Sequence, residues 1–204
     1  MARRNDHSRE QLRDLAIQSV LNLVDHDAFI SVTARAVTRD MGYTVGTLYL
    51  VFRNLDDLLV QVNAELLKRI HLDMQFAVKN AVDPQTTIFT LAKCYFSLAE
   101  QYPGRWQLLS RRHDKASDDG IDNIVEAIFI LVENELTRLA PTRNSKEIAL
   151  AARALWSAVH GICVVNASSH LRRQAHYDTR SLARTLIQTY LSGFMFDNID
   201  RPRS

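Results

Sequence analysis

The sequence predicts an all-α fold of about nine helices, and three observations support this prediction. The 204 residues include only 6 Gly and 4 Pro, which disfavours strands joined by tight turns. Ala, Leu, Arg and Gln dominate long stretches, and these residues favour helix. Apolar residues recur at the spacing of one helix face in segment after segment, and no segment gives a convincing strand pattern.

The first part of the chain is predicted to hold three helices, two of them short, before a long fourth. A first helix runs from about Arg9 to Asp25, with Ser8 as its N-cap. A second is capped by Thr33 and ends at Gly42 in a left-handed residue. A third, Thr44 to about Leu50, is very short. Two short helices joined by a tight turn are typical of the helix-turn-helix motif, whose second helix enters the DNA major groove.

The remainder is predicted to be helical throughout. The fourth helix begins after Asn54, with Asp57 three residues later in a capping-box-like arrangement, and continues to about Val82. The polar segments 111–120 and 170–178 are predicted loops, and Ser145 is the predicted cap of the penultimate helix. The later helices are predicted at Pro84–Gln101, Ile121–Leu139, Ser145–Ser169 and Thr179–Phe196, with a short helix through Ser110 following a break at Pro103-Gly104.

Composition and charge narrow the class of protein. Cys94 and Cys163 are far apart and lack metal-ligand spacing, which indicates reduced thiols in a cytoplasmic protein. No apolar signal-peptide segment follows the first residues, and no apolar run approaches about 18 residues, so we expect no membrane span. The net charge of +2 is too small to indicate nucleic-acid binding by itself.

Several segments near the N-terminus resemble a known family. TARAVTRDMG (33–42), YTVGTLY (43–49), Phe52 and DDLL (56–59) together look like the helix-turn-helix domain of TetR/AcrR-type transcriptional regulators. The resemblance implies a DNA-binding domain at residues 1–53 and a larger helical domain for ligand binding and dimerisation at residues 54–204. Two later segments, YPGRWQL (102–108) and ALWSAVHG (154–161), resemble the middle helix break and the Trp…His-Gly signature of some members.

Two positions depart from the common pattern of this family. Family members often have His or Tyr where this chain has Leu50, and Lys where it has Leu55. That Lys often faces a DNA phosphate in the family. Leu55 therefore removes one charge contact with DNA.

Seven residues are the predicted DNA contacts. Gly46 would keep one face of the recognition helix thin, and Thr44 and Thr47 would offer hydroxyls and methyls to phosphates or thymine methyls. Tyrosine hydroxyls and arginine would donate to phosphate, and a helix N-terminus offers free N–H groups to an anion. The full set is Thr33, Tyr43, Thr44, Gly46, Thr47, Tyr49 and Arg53.

Alternatives exist for some of these assignments. Phe52, like Leu48, is predicted to anchor the short helix inward, and Tyr49 could also be structural. The basic arm of Arg3, Arg4 and Arg9 could contact DNA or be a solvated tail. Residues 1–54 carry seven Arg and Lys against six Asp and Glu, so DNA binding is predicted from the motif and its geometry, not from bulk charge.

Aromatic and polar residues on the middle helices are the candidate lining of an effector site, because ligand sites in bundles lie between helices. Core packing is the alternative role for most of them. They are Phe89, Tyr95, Phe96, Trp106, Phe129, Trp156, His160 and Asn166.

Metal and catalytic chemistry have weaker support. His160 and Cys163 are three residues apart on one helix face, which would suit half of a metal site, but no second pair has matching spacing. His113 and Asp114 could imitate part of a catalytic dyad, yet no motif positions a nucleophile. We therefore predict no metal, no cofactor and no enzyme. A helical metal- or small-molecule-binding enzyme or sensor using His160, Cys163 and His113 is the alternative function.

The last two long helices carry apolar faces with many small residues. An ordinary core would explain this pattern, while in the resembled family this helix pair forms the dimer interface. Two copies related by a two-fold axis would read a palindrome. The sequence thus predicts a homodimeric, ligand-responsive transcriptional regulator, a repressor that a small-molecule effector releases from double-stranded DNA.

Overall fold

The computed structural model describes residues 7–27, 32–80, 82–110, 119–167 and 178–196. Within these ranges it contains nine α-helices and no strand, which confirms the predicted all-α class. The helices are α1 (Arg9–His26), α2 (Ala34–Met41), α3 (Val45–Leu48), α4 (Leu55–Lys79), α5 (Pro84–Gln101), α6 (Pro103–Ser110), α7 (Asp119–Leu139), α8 (Ser145–Ala167) and α9 (Thr179–Phe196).

The chain divides into two compact units. The first comprises Met1–Leu67 and Tyr102–Ile121, and the second comprises Lys68–Gln101 and Asp122–Ser204. Helix α4 is continuous and contributes residues to both units. The sequence predicted DNA binding in residues 1–53 and ligand binding and dimerisation in residues 54–204. This division by function stays a prediction.

The core of the first unit forms where α1 packs against α2 and α6 and α2 packs against α3. Leu48 and Phe52 are each only 1% exposed, which confirms that they anchor the short third helix inward. The buried Ser19 hydroxyl donates to the Val37 carbonyl at 3.1 Å and ties α1 to α2. Other buried residues of this core are Ala16, Ile17, Val20, Val24 and Val37.

The predicted caps Ser8 and Asn54 are found at the starts of α1 and α4. The Ser8 hydroxyl accepts from the Gln11 N–H while the Gln11 side chain accepts from the Ser8 N–H, a complete capping box. The Asn54 side chain accepts from the Asp57 N–H at 2.8 Å, as predicted. The Asp57 carboxylate, however, accepts from the Arg53 N–H at 2.8 Å, one residue earlier than a capping box requires.

Other helix ends differ from the prediction. The side chain of Asn144, not Ser145, caps α8, because its oxygen accepts from the Glu147 N–H at 3.0 Å. Helix α4 ends at Lys79, before the predicted Val82, and Asp83 caps the next helix through the Thr86 N–H at 2.9 Å. Helix α7 already begins at Asp119, inside the predicted polar loop, most of which lies outside the described residues. The second predicted loop, 170–178, also lies outside them except at Asp178.

In the second unit α5, α8 and α9 pack against one another. Helix α8 has the length and apolar composition of a membrane span, a property that the core helix of a soluble protein can share. Its buried face includes Ile148, Ala152 and Leu155, and this face belongs to the core of the unit. The core also contains Leu91 and Phe96 from α5 and Ile187 and Leu191 from α9.

Candidate DNA interface and effector cavity

The turn between α2 and α3 depends on Gly42. Its backbone is left-handed, with φ +73° and ψ +27°, as the sequence predicted. Its N–H donates to the Arg39 carbonyl at 3.2 Å, and the Tyr43 N–H donates to the Thr38 carbonyl at 2.9 Å. A side chain at position 42 would be strained in this conformation. The turn therefore fixes the direction in which the chain enters α3.

Helix α3 is a single capped turn. The Thr44 hydroxyl accepts from the Thr47 N–H at 3.3 Å, and the two threonine hydroxyls lie 3.0 Å apart. The helix is shorter than predicted, because hydrogen bonds from Leu50 and Val51 reach back only three residues. Thr44 and Gly46 are exposed and Thr47 is half-buried, so this polar face remains at the surface of the unit.

Among the residues that the structure describes, packing does not require glycine at position 46. A Cβ atom at this position would have the Thr44 hydroxyl oxygen, at 3.8 Å, as its nearest neighbour, which is an ordinary van der Waals contact. The backbone of Gly46 is also helical, where alanine is more favourable than glycine. The packing of the described residues therefore gives no reason for a glycine at this position.

Exposed side chains flank α3 on its C-terminal side. Tyr49 is 47% exposed and Leu50 is 64% exposed, unlike the buried Phe52. The Arg53 guanidinium is exposed and lies 3.6 Å from Asp57. Burial opposes ionisation of Asp57, but hydrogen bonds from the Arg53 N–H and the Gln61 side chain outweigh it and lower the pKa of this carboxyl. Because the Arg53 side chain is 86% exposed, this pair restrains it only weakly.

Two residues at and just before the start of α1 contact the chain on either side of α3. The sequence did not predict these contacts. His7 Nδ1 and the Tyr43 hydroxyl are 2.6 Å apart, just before α3. The Arg9 guanidinium donates to the Leu50 carbonyl at 2.6 Å, just after it. Arg9 of the predicted basic arm thus contacts the backbone beside the candidate recognition helix. Arg3 and Arg4 lie outside the described residues. The seventh predicted contact, Thr33, caps α2 by accepting from the Ala36 N–H at 3.2 Å.

A narrow apolar cavity of about 50 Å³ lies in the second unit, among residues of α4, α5, α7, α8 and α9. Three of the predicted ligand residues line it, namely Tyr95, Phe129 and Trp156. The other lining residues are aliphatic side chains and Met74, which no sequence signal separates from an ordinary core: Met74, Ile88, Leu91, Ala92, Ile128, Val132, Ala152, Leu155, Val159 and Ile187.

One side of this cavity carries a polar and aromatic cluster. The Tyr95 hydroxyl and His160 Nδ1 are 2.7 Å apart. The His160 ring stacks on Trp156 at a centroid distance of 5.2 Å, and Phe129 meets Trp156 edge-on at 6.1 Å. Burial lowers the pKa of His160, so the imidazole is neutral at neutral pH. The structure thus brings four of the eight predicted ligand residues together.

The other four are not part of this cluster. Phe89 and Phe96 pack against each other with centroids 6.3 Å apart, and Phe96 is fully buried. The Asn166 side chain donates to the Thr179 hydroxyl at 2.7 Å, which joins α8 to α9. Trp106 is buried in the first unit and does not line the cavity of the second.

The alternative chemistry at Cys163 and His160 is not favoured. Burial raises the pKa of the Cys163 thiol to about 12, so it is neither a thiolate nucleophile nor a ready metal ligand at neutral pH. In the part of the chain that the structure describes, no three His, Cys, Asp or Glu side chains cluster as metal ligands. His113, the third residue of that alternative, lies outside the described residues.

Comparisons with known proteins agree with this architecture. The family model "Tetracyclin repressor-like, C-terminal domain" matches residues 88–190, which is 103 of the 204 residues. Among curated proteins, none matches the sequence significantly.

Several solved structures share the fold. A protein of unknown function from Rhodococcus sp. RHA1 is 17% identical, with a TM-score of 0.75 over 94% of this chain and 98% of that one. The transcriptional regulator FadR from Bacillus subtilis, solved with stearoyl-CoA, is 17% identical, with a TM-score of 0.67 over 88% and 98%. A TetR-family transcriptional regulator from Streptomyces coelicolor is 16% identical, with a TM-score of 0.65 over 90% and 99%.

Proposed function

Since the chain belongs to the tetracyclin repressor-like (TetR) family of transcriptional regulators, we propose that it is a homodimeric repressor that a small-molecule effector releases from a palindromic DNA operator. Residues 1–53 form the DNA-binding domain, and residues 54–204 bind the effector and dimerise. The observation that carries the proposal is the exposed, capped turn of α3, with a glycine that packing does not require. The proposed location is the cytoplasm, and we assign the protein no catalytic activity and no cofactor.

In the proposed complex, α3 enters the major groove and the surrounding residues fix its register on the phosphates. Gly46 lets the helix backbone approach the bases. Thr44 and Thr47 offer hydroxyls and methyls to phosphates or thymine methyls. The remaining predicted contacts, Thr33, Tyr43, Tyr49 and Arg53, bind phosphates. All seven residues belong to the first unit and each is at least partly exposed, which supports a shared surface.

The proposed dimer interface lies on the exposed face of the last two helices. Leu150 is 71% exposed and Val164 is 45% exposed on α8, and Phe196 at the end of α9 is 69% exposed. Exposed Ala154 and Ser157 lie between them on α8. Large apolar side chains interspersed with small ones suit close helix packing across a two-fold axis. A second copy of the chain is therefore the proposed occupant of this face.

The proposed response to effector passes through α4. Near its start, Gln61 accepts from the Arg13 side chain of α1 at 2.6 Å, and Asn63 donates to the Leu108 carbonyl of α6 at 3.3 Å. Near its end, Met74 lines the cavity. Gln61 and Met74 are 13 residues apart on one helix, roughly 20 Å along its axis. An effector that displaces Met74 would therefore move the helix that holds α1. It must bind the released state better, or it shifts nothing.

A mobility-shift assay with DNA upstream of the protein's own gene tests the DNA-binding part of this proposal. Wild type should shift the DNA with sequence preference at moderate salt. The double variant Thr47→Ala, Tyr49→Ala should weaken specific binding while helical content and dimerisation persist. Thr137→Ala, an exposed threonine on α7, is the control and should bind as wild type does. Equal shifts from specific and unrelated DNA would refute the regulator function.

A further inference from the structure

His7 forms a pair with Tyr43 at the surface of the first unit, and the proposed DNA contacts do not include it. His7 Nδ1 lies 2.6 Å from the Tyr43 hydroxyl oxygen, and the two rings meet edge-on with centroids 6.0 Å apart. His7 is exposed and Tyr43 is half-buried, so a partner outside the chain can reach both groups. Because Tyr43 is a proposed phosphate contact, His7 lies beside that proposed phosphate position.

Backbone hydrogen bonds hold the chain on both sides of this pair. The Tyr43 N–H donates to the Thr38 carbonyl at 2.9 Å, directly after the left-handed turn at Gly42. His7 directly precedes Ser8, whose capping box with Gln11 fixes the start of α1. The pair therefore has a defined place just before α3.

The charge of His7 decides which group donates the hydrogen bond. A neutral imidazole has one N–H and one acceptor nitrogen, so the Tyr43 hydroxyl can donate to Nδ1 and is then unavailable to a phosphate. A protonated imidazole has donors at both nitrogens, so Nδ1 donates to the Tyr43 oxygen. The Tyr43 hydroxyl hydrogen and the Nε2 hydrogen of His7 then both remain for an acceptor outside the pair.

The other charged groups in this region do not change their charge near neutral pH. Among the described residues, Tyr43 is the one group in hydrogen-bond or ring contact with His7. Arg9 donates to the Leu50 carbonyl at 2.6 Å. Arginine and carboxylate side chains ordinarily keep their charge between pH 6 and 8, whereas histidine changes its charge in this range. The further charged residues of α2, of the first turns of α1 and α4, and of the segment before α4 are Glu10, Arg35, Arg39, Asp40, Arg53, Asp56 and Asp57.

We infer, resting on the function proposed above, that His7 and Tyr43 together bind one DNA phosphate, and that His7 takes up a proton when the protein binds DNA. The protonated ring supplies a positive charge, and it leaves the Tyr43 hydroxyl able to donate to a phosphate oxygen. Hydrogen bonds to a charged group are stronger than those between neutral groups. Operator affinity therefore rises as the pH falls through the range in which histidine gains its proton.

Fluorescence anisotropy with a labelled duplex from upstream of the protein's own gene tests this inference at pH 6 and pH 8, at constant ionic strength. Wild type should bind about two- to ten-fold more tightly at pH 6. The plot of log affinity against log salt should also be steeper at pH 6, by up to about one. His7→Gln keeps a hydrogen-bonding side chain but cannot gain a proton, so its affinity should be nearly the same at both pH values. Circular dichroism checks that the variant is folded.

His26→Gln is the matched control, because it removes an exposed histidine from the last turn of the same helix. His26 lies roughly 25 Å from the start of α1 along the helix axis. This variant should keep the pH dependence of wild type, since every other histidine, His7 included, is unchanged in it.

A double-mutant cycle tests whether the two groups act on one phosphate. Tyr43→Phe should weaken binding about two- to ten-fold at pH 6, because it removes one hydrogen-bond donor. Adding His7→Gln to Tyr43→Phe should cost less affinity than His7→Gln costs alone, because groups that share a partner are coupled.

The outcomes separate this inference from the proposed function. Specific binding with the same pH dependence in wild type and His7→Gln would overturn the inference and leave the regulator function standing. Additive effects of His7→Gln and Tyr43→Phe at pH 6, or an equal loss of pH dependence in His7→Gln and His26→Gln, would do the same. A wild type without sequence preference at either pH would refute the regulator function, and the inference with it.

Discussion

The two units present their candidate sites in opposite ways. In the first, the candidate DNA contacts are at least partly exposed, and the side-chain caps Thr33 and Thr44 hold the two short helices beside them. In the second, the candidate ligand groups are packed against a narrow cavity, and side-chain contacts such as Tyr95 to His160 hold them. A capped, solvent-facing surface suits contact with a duplex, whereas an apolar cavity suits a small apolar molecule. The difference predicts which substitutions should affect binding, stability or both.

The largest expected effect is the loss of a buried anchor beneath the exposed surface. Phe52→Ala should lower the free energy of unfolding by about 3–5 kcal/mol, because it empties a buried site under α3. Phe52 is 1% exposed, while Phe76 on α4 is 70% exposed. Phe76→Ala is therefore the matched control, with an expected change within about 0.5 kcal/mol. Urea denaturation of both variants measures this, and similar losses would contradict the assigned packing.

A substitution at Gly46 should separate DNA binding from stability. Gly46→Ala should leave stability unchanged or raise it by up to about 1 kcal/mol, since alanine favours helix and the Cβ fits. Operator affinity should fall by about ten-fold or more, because the added methyl holds α3 away from the base edges. Fluorescence anisotropy with labelled operator and thermal unfolding measure the two effects. An unchanged operator affinity would remove Gly46 from the interface.

Restoring a charge at position 55 should strengthen DNA binding. Leu55→Lys adds a cation at the start of α4, and we expect the plot of log affinity against log salt to steepen by about one. Leu72→Lys adds the same charge to an exposed position farther along α4, where Leu72 is 57% exposed. This control should leave the slope closer to that of wild type. Equal slopes for the two variants would argue against a phosphate near residue 55.

The smallest expected effect is a pH dependence that originates in the second unit. Burial lowers the pKa of His160 in the folded state below its ordinary value of 6.5. The unfolded chain therefore takes up the proton more readily, and stability is present above about pH 6.5 and falls as the pH drops below it. His160→Gln should flatten this loss between pH 7.5 and 5.5. Asp57, Asp83 and Asp178 have pKa values lowered from 3.8, so they titrate below that window.

Chemical denaturation across this pH range, for wild type and His160→Gln side by side, isolates the contribution of one imidazole. The other six of the seven histidines are the same in both proteins and cancel in the comparison. A variant whose stability falls with pH as steeply as that of wild type would show that His160 is not the group responsible.

The sequence predicted helix starts and the turn at Gly42, because interactions between neighbouring residues determine these features. Pro84 marked the start of α5, Ser8 the start of α1, and Gly42 the left-handed turn. These signals act within one helical turn, so they can be read from neighbouring residues.

Contacts between distant residues were not predictable in the same way. The bonds from His7 to Tyr43 and from Arg9 to Leu50 join residues 36 and 41 positions apart. The cavity was found only in part, because Tyr95, Phe129 and Trp156 stood out as aromatic while Met74 looked like any core residue. Trp106 had the same aromatic signal and packs in the other unit. Composition identifies candidates for a cavity, and only tertiary packing selects among them.

Selection of DNA from a random pool by the wild-type protein tests the central claim most directly. If the protein is a dimeric regulator that reads DNA through α3, the pool should converge on a palindrome with two half-sites, and the Gly46→Ala protein should bind that sequence more weakly. A pool that shows no enriched sequence at moderate salt, or one enriched for a single site without two-fold symmetry, would contradict it.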